Sequence, residues 1–219
     1  TQVERIDRGA RQINFHGSNG PGSLAYDHLI LATGTRNLRP PIEGLEYACD
    51  LRTLDDAEIL RQGLSQQQRI AVIGGGFIGL EFAAIARKLG HDVSVIEAAP
   101  RLMARAVSPL MSKMFATFHT DLGAKLYLGK SAAGISRDAV TLADGTEVHA
   151  NFVLLAAGVR PNTELAEEAG LECENGVRVD ARLLTSDPAI SALGDCAVFP
   201  DPRAGRHIRF GGNYHRFRF

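Results

Sequence analysis

The sequence predicts an α/β protein in which one parallel-sheet domain is inserted between two parts of a second, incomplete domain. Three observations predict this fold. The segment from Arg69 to Glu97 follows the order strand, glycine-rich turn, helix, strand, which is typical of a βαβ unit. A hairpin followed by an apolar strand occurs on both sides of that segment, and helix signals separate the two copies. We expect domain boundaries at 1–51, 52–160 and 161–219.

Composition narrows the class of protein. The chain has 219 residues, 45% of them hydrophobic and 22% charged, with a formal net charge of −1, which predicts a globular protein of one or two domains. Near-neutral charge argues against a nucleic-acid partner, and no apolar run approaches the roughly 18 residues of a membrane span. Three widely separated cysteines predict neither a disulfide framework nor a metal site and favour a reducing cytoplasm.

The βαβ segment carries a glycine fingerprint. The apolar run Ile70 to Ile73 predicts a buried strand, and Gly74, Gly76 and Gly79 follow as G-x-G-x-x-G at the turn into a helix. The first glycine permits a tight turn, the second lets phosphates approach the backbone, and the third lets the helix pack closely on the strands. The helix N-terminus adds partial positive charge, so this segment predicts a pyrophosphate site.

A carboxylate follows the second strand of the unit. That strand, His91 to Ile96, leads into Glu97, which can accept a hydrogen bond from a ribose 2′-hydroxyl and would repel a 2′-phosphate. Arg101 and Arg105 follow closely and would favour the opposite preference. We expect a Rossmann-like domain, a parallel sheet with an added hairpin or meander, that binds NAD(H) rather than NADP(H).

The repeated pattern is a β-hairpin followed by an apolar strand ending in Ala-x-Gly. The first copy ends at Ala32 to Gly34 and the second at Ala156 to Gly158. A glycine at the carboxyl edge of a parallel sheet lets the backbone approach a nucleotide. The second copy follows the glycine fingerprint, whereas the first has no room for one before it. We therefore expect a two-nucleotide, flavoprotein-like architecture whose outer domain lacks its first βαβ unit, and a chain that is part of a longer protein.

Helix signals lie between and after the copies. Thr53 and Asp56 occupy the N-cap and N3 positions of one predicted helix. A second helix is expected from Ser108 to Leu122, starting at Ser-Pro. A short third helix follows the second copy, with Asn162 or Thr163 as its cap.

Three further segments allow a functional and a structural interpretation. Met111, Phe115 and Phe118 form a stripe at helical spacing, and we assign them to the core. An apolar strand leads into Gly194-Asp195, which can direct a carboxylate at a polyol or phosphate, although such dipeptides are common in ordinary turns. Residues 210–219 alternate aromatic and basic side chains, which suits stacking on nucleic acid or an atypical chain end; we expect the chain end.

The motifs together resemble a known family. Ala32 to Gly34, Gly74 to Glu81, Ala156 to Asn162 and Gly194 to Ala197 stand in the order typical of the FAD-dependent pyridine-nucleotide oxidoreductases. Within that family the chain is most similar to the NADH-dependent reductases that supply ferredoxin or rubredoxin in oxygenase systems. The resemblance implies FAD contacts at Thr33, Gly34, Gly194 and Asp195. It implies NAD(H) contacts at Gly74, Gly76, Phe77, Ile78, Gly79, Glu97, Arg105 and Gly158, and a catalytic position for Glu81 beside the nicotinamide.

The resemblance also implies a reaction and leaves alternatives. Hydride would pass from the nicotinamide to the flavin, and electrons would then pass singly to an iron–sulfur partner, with no protein nucleophile. The disulfide-reducing branch uses a cysteine pair, and the chain has no close pair, so a disulfide or peroxide reductase is one alternative. An NAD(H)-binding module without turnover is the other alternative. The first FAD-binding βαβ unit, the C-terminal domain and the usual helix after Gly-Asp are missing from the pattern.

Overall fold

The computed structural model describes residues 1–202 and 205–209, so residues 210–219, expected to be an atypical chain end, lie outside the described part. The chain divides into two compact units. The inner unit is Asn37–Gly158, and the outer unit combines Thr1–Arg36 with the described residues from Val159 onward. The first division lies earlier than the expected 51/52 because the strand Ala48–Cys49 pairs within the inner sheet.

The described residues form eighteen strands and four α-helices. The strands are β1 (Gln2–Asp7), β2 (Gln12–Gly17), β3 (Gly20–Ala25), β4 (Leu29–Leu31), β5 (Thr35–Asn37), β6 (Ala48–Cys49), β7 (Arg69–Ile73), β8 (Asp92–Glu97), β9 (Lys125–Leu128), β10 (Ala132–Ile135), β11 (Ala139–Leu142), β12 (Glu147–His149), β13 (Phe152–Leu155), β14 (Val159–Pro161), β15 (Val177–Arg178), β16 (Ile190–Ala192), β17 (Ala197–Asp201) and β18 (Arg206–Arg209). The helices are α1 (Leu54–Gly63), α2 (Phe77–Lys88), α3 (Pro109–Asp121) and α4 (Glu164–Glu168), and short 3-10 helices lie at Leu45–Tyr47 and Gly194–Cys196. No helix in this described part is long and apolar enough to cross a membrane.

The inner unit is a three-layer structure around a parallel sheet. Its five strands lie in the order β6-β13-β7-β8-β9, with parallel pairing throughout. Alternate residues of β7 face opposite layers: Ile70 and Val72 join the core beneath the helices, while Ala71 and Ile73 join the core beneath the antiparallel meander β10-β11-β12. Both faces are covered, as parallel sheets require. The predicted parallel sheet with a meander is confirmed.

Local sequence signals explain where the inner helices begin. At α1 the Thr53 side chain accepts a hydrogen bond from the Asp56 N–H, and the Asp56 side chain accepts one from the Thr53 N–H, which is the expected capping box. At α3 the Ser108 hydroxyl accepts from the Met111 N–H. Helix α2 differs, because its N-cap is Gly76 and no side chain caps its first N–H groups.

The predicted core stripe of α3 is wrong for two of its three residues. Met111 is 40% exposed and Phe118 is 51% exposed, and only Phe115 packs partly against the core. The buried face of the helix instead carries Ser112 and His119, which are both about 2% exposed. Ser112 turns inward because its hydroxyl donates to a backbone carbonyl of the preceding loop, a long-range contact that hydrophobic periodicity does not encode.

The outer unit consists of several small sheets. An antiparallel sheet β1-β2-β3, a parallel pair β4-β16, a pair β5-β14 and a sheet β15-β17-β18 surround a core that includes Leu31, Val177 and Ile190. In the described residues β4 pairs only with β16, and Ile30 on β4 remains 57% exposed. This face of a parallel pair is uncovered, in contrast to the inner sheet.

Candidate functional site

A pocket of about 500 Å³ lies at the carboxyl ends of the inner strands β7, β8 and β13. Parallel α/β sheets bind their ligands at this edge. Six of the predicted NAD(H)-binding residues line the pocket: Gly74, Gly76, Phe77, Glu97, Arg105 and Gly158. The sheet therefore brings together residues that lie far apart in the sequence.

The three fingerprint glycines meet different surroundings. Gly74 has φ 117°, and a Cβ there would lie 2.2 Å from the Ala156 carbonyl oxygen. A Cβ on Gly79 would lie 2.1 Å from the Gly74 oxygen, so the helix contacts the loop directly. A Cβ on Gly76 would meet no protein atom within 4 Å, and the free space belongs to the pocket. Gly74 and Gly79 are thus required by the protein itself, whereas Gly76 leaves room for something else.

Glu97 holds the glycine loop with both carboxylate oxygens. Its Oε2 accepts a hydrogen bond from the Gly75 N–H at 2.6 Å, and its Oε1 accepts one from the Ala99 N–H at 2.7 Å. Each carboxylate oxygen has a second lone pair, so the side chain can still accept a hydrogen bond from a ligand hydroxyl. The sequence predicted a ligand contact here and missed this structural role.

The cations near Glu97 differ in what they contact. Arg101 donates from Nη1 to the Val107 carbonyl at 2.9 Å and from Nη2 to the Ala104 carbonyl at 2.6 Å. Arg105 is exposed, lines the pocket and makes no hydrogen bond or ion pair with another described residue. Lys130 also lines the pocket, and its ammonium donates to Asp144 at 2.5 Å, which holds the pKa of that carboxyl below its usual range.

Three predicted residues do not line the pocket. Ile78 is the second residue of α2 and is 42% exposed, Gly79 is buried beneath the glycine loop, and Glu81 is exposed one turn further along the helix. Gly79 therefore contributes through packing, as its position in the fingerprint predicts. The pocket has a wall that the sequence did not indicate, formed by Pro40, Pro41 and Ile42.

The predicted FAD-contacting residues of the outer unit also lie together. Because β4 and β16 are parallel neighbours, with Leu31 opposite Ala192, the turns that follow them lie side by side. These turns carry Thr33 with Gly34 (φ 64°) and Gly194 (φ 74°) with Asp195. The Thr35 hydroxyl lies 3.4 Å from Asp195 Oδ2, and a Cβ on Gly194 would meet no atom within 4 Å.

Asn162 fixes the first of these turns. Its side-chain N–H donates to the Thr33 carbonyl at 2.8 Å, its backbone N–H donates to the Gly34 carbonyl at 3.0 Å, and the Thr33 hydroxyl donates to the Asn162 carbonyl at 2.6 Å. The sequence suggested Asn162 as a helix cap and as the last residue of a family motif, and Thr163 occupies the cap position. Its place four residues after the second Ala-x-Gly copy was the signal that could have linked it to the turn.

Comparison with known proteins gives consistent relatives. Residues 1–211 match the family described as pyridine nucleotide-disulphide oxidoreductase. The chain is 45% identical over 214 residues to rhodocoxin reductase of Rhodococcus erythropolis, covering 94% of this chain and 49% of the relative. It is 44% identical to terpredoxin reductase of a Pseudomonas species, covering 91% of this chain and 50% of the relative.

Solved structures agree. A ferredoxin reductase for the CYP199A2 system of Rhodopseudomonas palustris has a TM-score of 0.89 at 42% identity, with 94% of this chain and 52% of that one covered. The covalent putidaredoxin reductase–putidaredoxin complex has a TM-score of 0.88 at 37% identity, with 95% of this chain and 52% of that one covered. The chain thus spans about half the length of the relatives it matches.

Proposed function

Because this chain belongs to the pyridine nucleotide-disulphide oxidoreductase family, we propose that the whole protein is an NADH-dependent flavoprotein reductase. It takes hydride from NADH onto FAD and passes electrons to a ferredoxin- or rubredoxin-type carrier. The similar proteins with curated names include rhodocoxin, terpredoxin and rubredoxin reductases, which supports this acceptor class. The observation that carries the dinucleotide assignment is the open space at Gly76, the N-cap of a helix whose first N–H groups have no side-chain cap.

The residues of the inner pocket fit a dinucleotide. The first N–H groups of α2, at Phe77 and Ile78, lack a side-chain cap and can donate to a pyrophosphate that passes over Gly76. Glu97 accepts a hydrogen bond from a ribose hydroxyl, and its negative charge disfavours a 2′-phosphate. Arg101 cannot readily reverse that preference because backbone carbonyls already occupy its guanidinium.

The remaining predicted residues are assigned to the two ends of the dinucleotide, the adenosine and the nicotinamide. We assign Arg105 to the adenosine side and Gly158 to the nicotinamide side of the pocket. Glu81, which is exposed on α2 and does not line this pocket, is assigned to the nicotinamide side by resemblance. The bound nicotinamide would supply a hydride and the flavin would accept it, so these residues bind and orient rather than act as nucleophiles.

For FAD, the outer unit supplies part of a site. Thr33, Gly34, Gly194 and Asp195 form a polar edge at the ends of two parallel strands, and the open space at Gly194 suits close approach of a ligand. The exposed face at Ile30 indicates that further chain must cover this pair before a flavin could be enclosed. We therefore assign FAD binding to the whole protein.

The test uses the whole protein produced with FAD. On anaerobic mixing with one equivalent of NADH, the visible absorption band of the flavin should bleach, and adding two equivalents of an oxidised ferredoxin or rubredoxin should restore it. Gly76→Ala should raise the KM for NADH about tenfold, because its Cβ fills the space meant for phosphate. Gly134→Ala is the matched control: its conformation accepts alanine, its nearest contact would be 3.9 Å away, and it lies outside the pocket.

Other outcomes identify other functions. NADH binding without bleaching would support a binding module without turnover. Reduction of a disulfide or peroxide substrate, with no transfer to ferredoxin, would assign the protein to the other branch of the family. Unchanged NADH binding in Gly76→Ala would contradict the pyrophosphate assignment.

We also propose a cytoplasmic location. Cys49, Cys173 and Cys196 are all free thiols, which suits a reducing compartment. Measuring the distribution of the tagged protein between cell fractions tests this proposal, and recovery in an oxidising compartment would contradict it.

A further inference from the structure

The loop of residues 98–107, which connects β8 to α3, forms one wall of the inner pocket. Ala98, Ala99, Met103, Ala104, Arg105 and Ala106 from this loop all line it. Five of these six residues offer only backbone and small or apolar side chains. The shape of the loop therefore decides where its single charged pocket residue, Arg105, lies.

Arg101 closes this loop with a two-pronged contact. Residues 103–107 form a single turn, in which the N–H groups of Ala106 and Val107 donate to the Met103 carbonyl at 2.8 and 3.1 Å. The Arg101 guanidinium then donates to the carbonyls of Ala104 and Val107. These two acceptors lie on either side of Arg105, so the fork fixes the backbone before and after it.

The loop is held in a conformation that is unfavourable in itself. Met103 has φ 51°, in the left-handed region that a bulky side chain rarely adopts. Its N–H donates to the Gly75 carbonyl at 2.9 Å, and the neighbouring Leu102 is fully buried with its carbonyl bonded by the Ser112 hydroxyl. Strain of this kind persists only where surrounding contacts enforce it, and it concentrates at ligand sites.

We propose that Arg101 is a positioning residue for the adenosine half of the dinucleotide, acting through the loop that carries Arg105. This inference rests on the proposed function of the pocket. The two arginines divide the work: Arg101 is half-buried and bonded to the protein, whereas Arg105 is exposed, and among the described residues it has no partner. A lysine could not replace Arg101 fully, because an ammonium lacks the planar fork that reaches two carbonyls at once.

The experiment is a double-mutant cycle on the whole, FAD-loaded protein, with ADP-ribose titrated by calorimetry as the probe of the adenosine half. We expect R105A and R101A each to weaken ADP-ribose binding about tenfold. The double variant R101A/R105A should bind about as weakly as either single variant, because Arg101 acts through Arg105. R101K should lie between wild type and R101A. In NADH turnover, KM should rise while kcat changes by less than about twofold.

The control is R137A, which removes an exposed arginine from the turn between β10 and β11, outside the pocket, and should leave ADP-ribose affinity unchanged. Should R101A fold poorly, the R101K variant still decides the matter, because it keeps the charge and loses only the fork. Additive losses in the double variant, or wild-type affinity in R101A or R101K, would overturn the inference while leaving the proposed function intact. Failure of the wild-type protein to bind ADP-ribose would overturn the proposed function as well.

Discussion

The inner and outer units contain the same local pattern, a hairpin followed by a strand ending in Ala-x-Gly, but the strands end in different surroundings. In the inner unit, β13 lies between β6 and β7, and Leu154 at its centre is fully buried. In the outer unit, β4 pairs with β16 within the described residues, and Ile30 remains 57% exposed. The pattern therefore specifies a strand and a turn, while the neighbouring strands decide whether a pocket forms at the edge.

The glycines at the two edges differ in the same way. In the inner unit Gly74 is packed against the backbone of β13's end, so the protein itself requires a glycine. In the outer unit Gly194 borders open space and is required only by its φ of 74°. Protein packing thus explains the inner glycine, whereas backbone conformation alone explains the outer one.

The largest effect should come from removing a core side chain from each sheet. We expect Leu154→Ala to lower the free energy of unfolding by about 2–5 kcal/mol, because it opens a cavity between two covered faces. Ile30→Ala should cost less than about 0.5 kcal/mol, because the side chain is largely in solvent. Urea unfolding of both variants measures this. A cost above about 1 kcal/mol for Ile30→Ala would mean that its face is covered in solution.

Alanine at the edge glycines should produce the next largest difference. Gly74→Ala combines a left-handed φ with a clash against a carbonyl oxygen, so we expect a loss of about 3 kcal/mol. Gly194→Ala incurs the backbone strain alone, and about 1 kcal/mol is expected. Thermal unfolding of the two variants side by side is the measurement, and equal losses would refute the distinction between packed and open glycines.

Neutralising one carboxylate in each unit should affect the binding of one cofactor and not the other. Glu97→Gln leaves an amide that can accept only one of the two N–H groups from Gly75 and Ala99, so NADH affinity should fall about tenfold. Asp195→Asn in the whole protein should lower flavin content and leave NADH affinity close to wild type. Flavin absorbance per protein and NADH titration provide the readouts. Loss of flavin in Glu97→Gln would argue against the division of sites.

The smallest expected effect is a difference in acid sensitivity. Burial lowers the pKa of His119 in the inner unit, so the unfolded chain takes up its proton first. The stability that neutral His119 contributes is present above about pH 6.5 and is lost as pH falls from there towards the folded pKa. Arg8 lowers the pKa of Asp187 in the outer unit, and this contribution is lost only as pH falls below about 4.

Two variants test this order. His119→Leu should flatten the decline in unfolding free energy that begins as pH falls below about 6.5. Asp187→Asn should alter the profile only below about pH 4, by a few tenths of a kcal/mol because the pair is partly exposed. Identical pH profiles for the wild-type chain and His119→Leu below about pH 6.5 would contradict the role of His119.

Local features were predictable from sequence. The βαβ unit, the capping box of Thr53 and Asp56 and the Ser108 cap of α3 each depend on residues within a few positions of one another. The glycine fingerprint located one wall of the pocket for the same reason. Long-range contacts were not predictable. The pocket wall at Pro40 and Pro41 and the hydrogen bond from Asn162 to Thr33 each bring together segments far apart in the chain.

The sequence alone determined the fold class, the presence of a dinucleotide fingerprint and the occurrence of two Ala-x-Gly strand ends, because glycine, alternating apolar residues and caps act on the nearby backbone. Tertiary structure decided which face of α3 is buried, that Glu97 braces the glycine loop, and that Arg101 is bound to backbone while Arg105 is exposed at the pocket. Two arginines four residues apart are chemically identical in sequence, and only the carbonyls that surround one of them distinguish their roles.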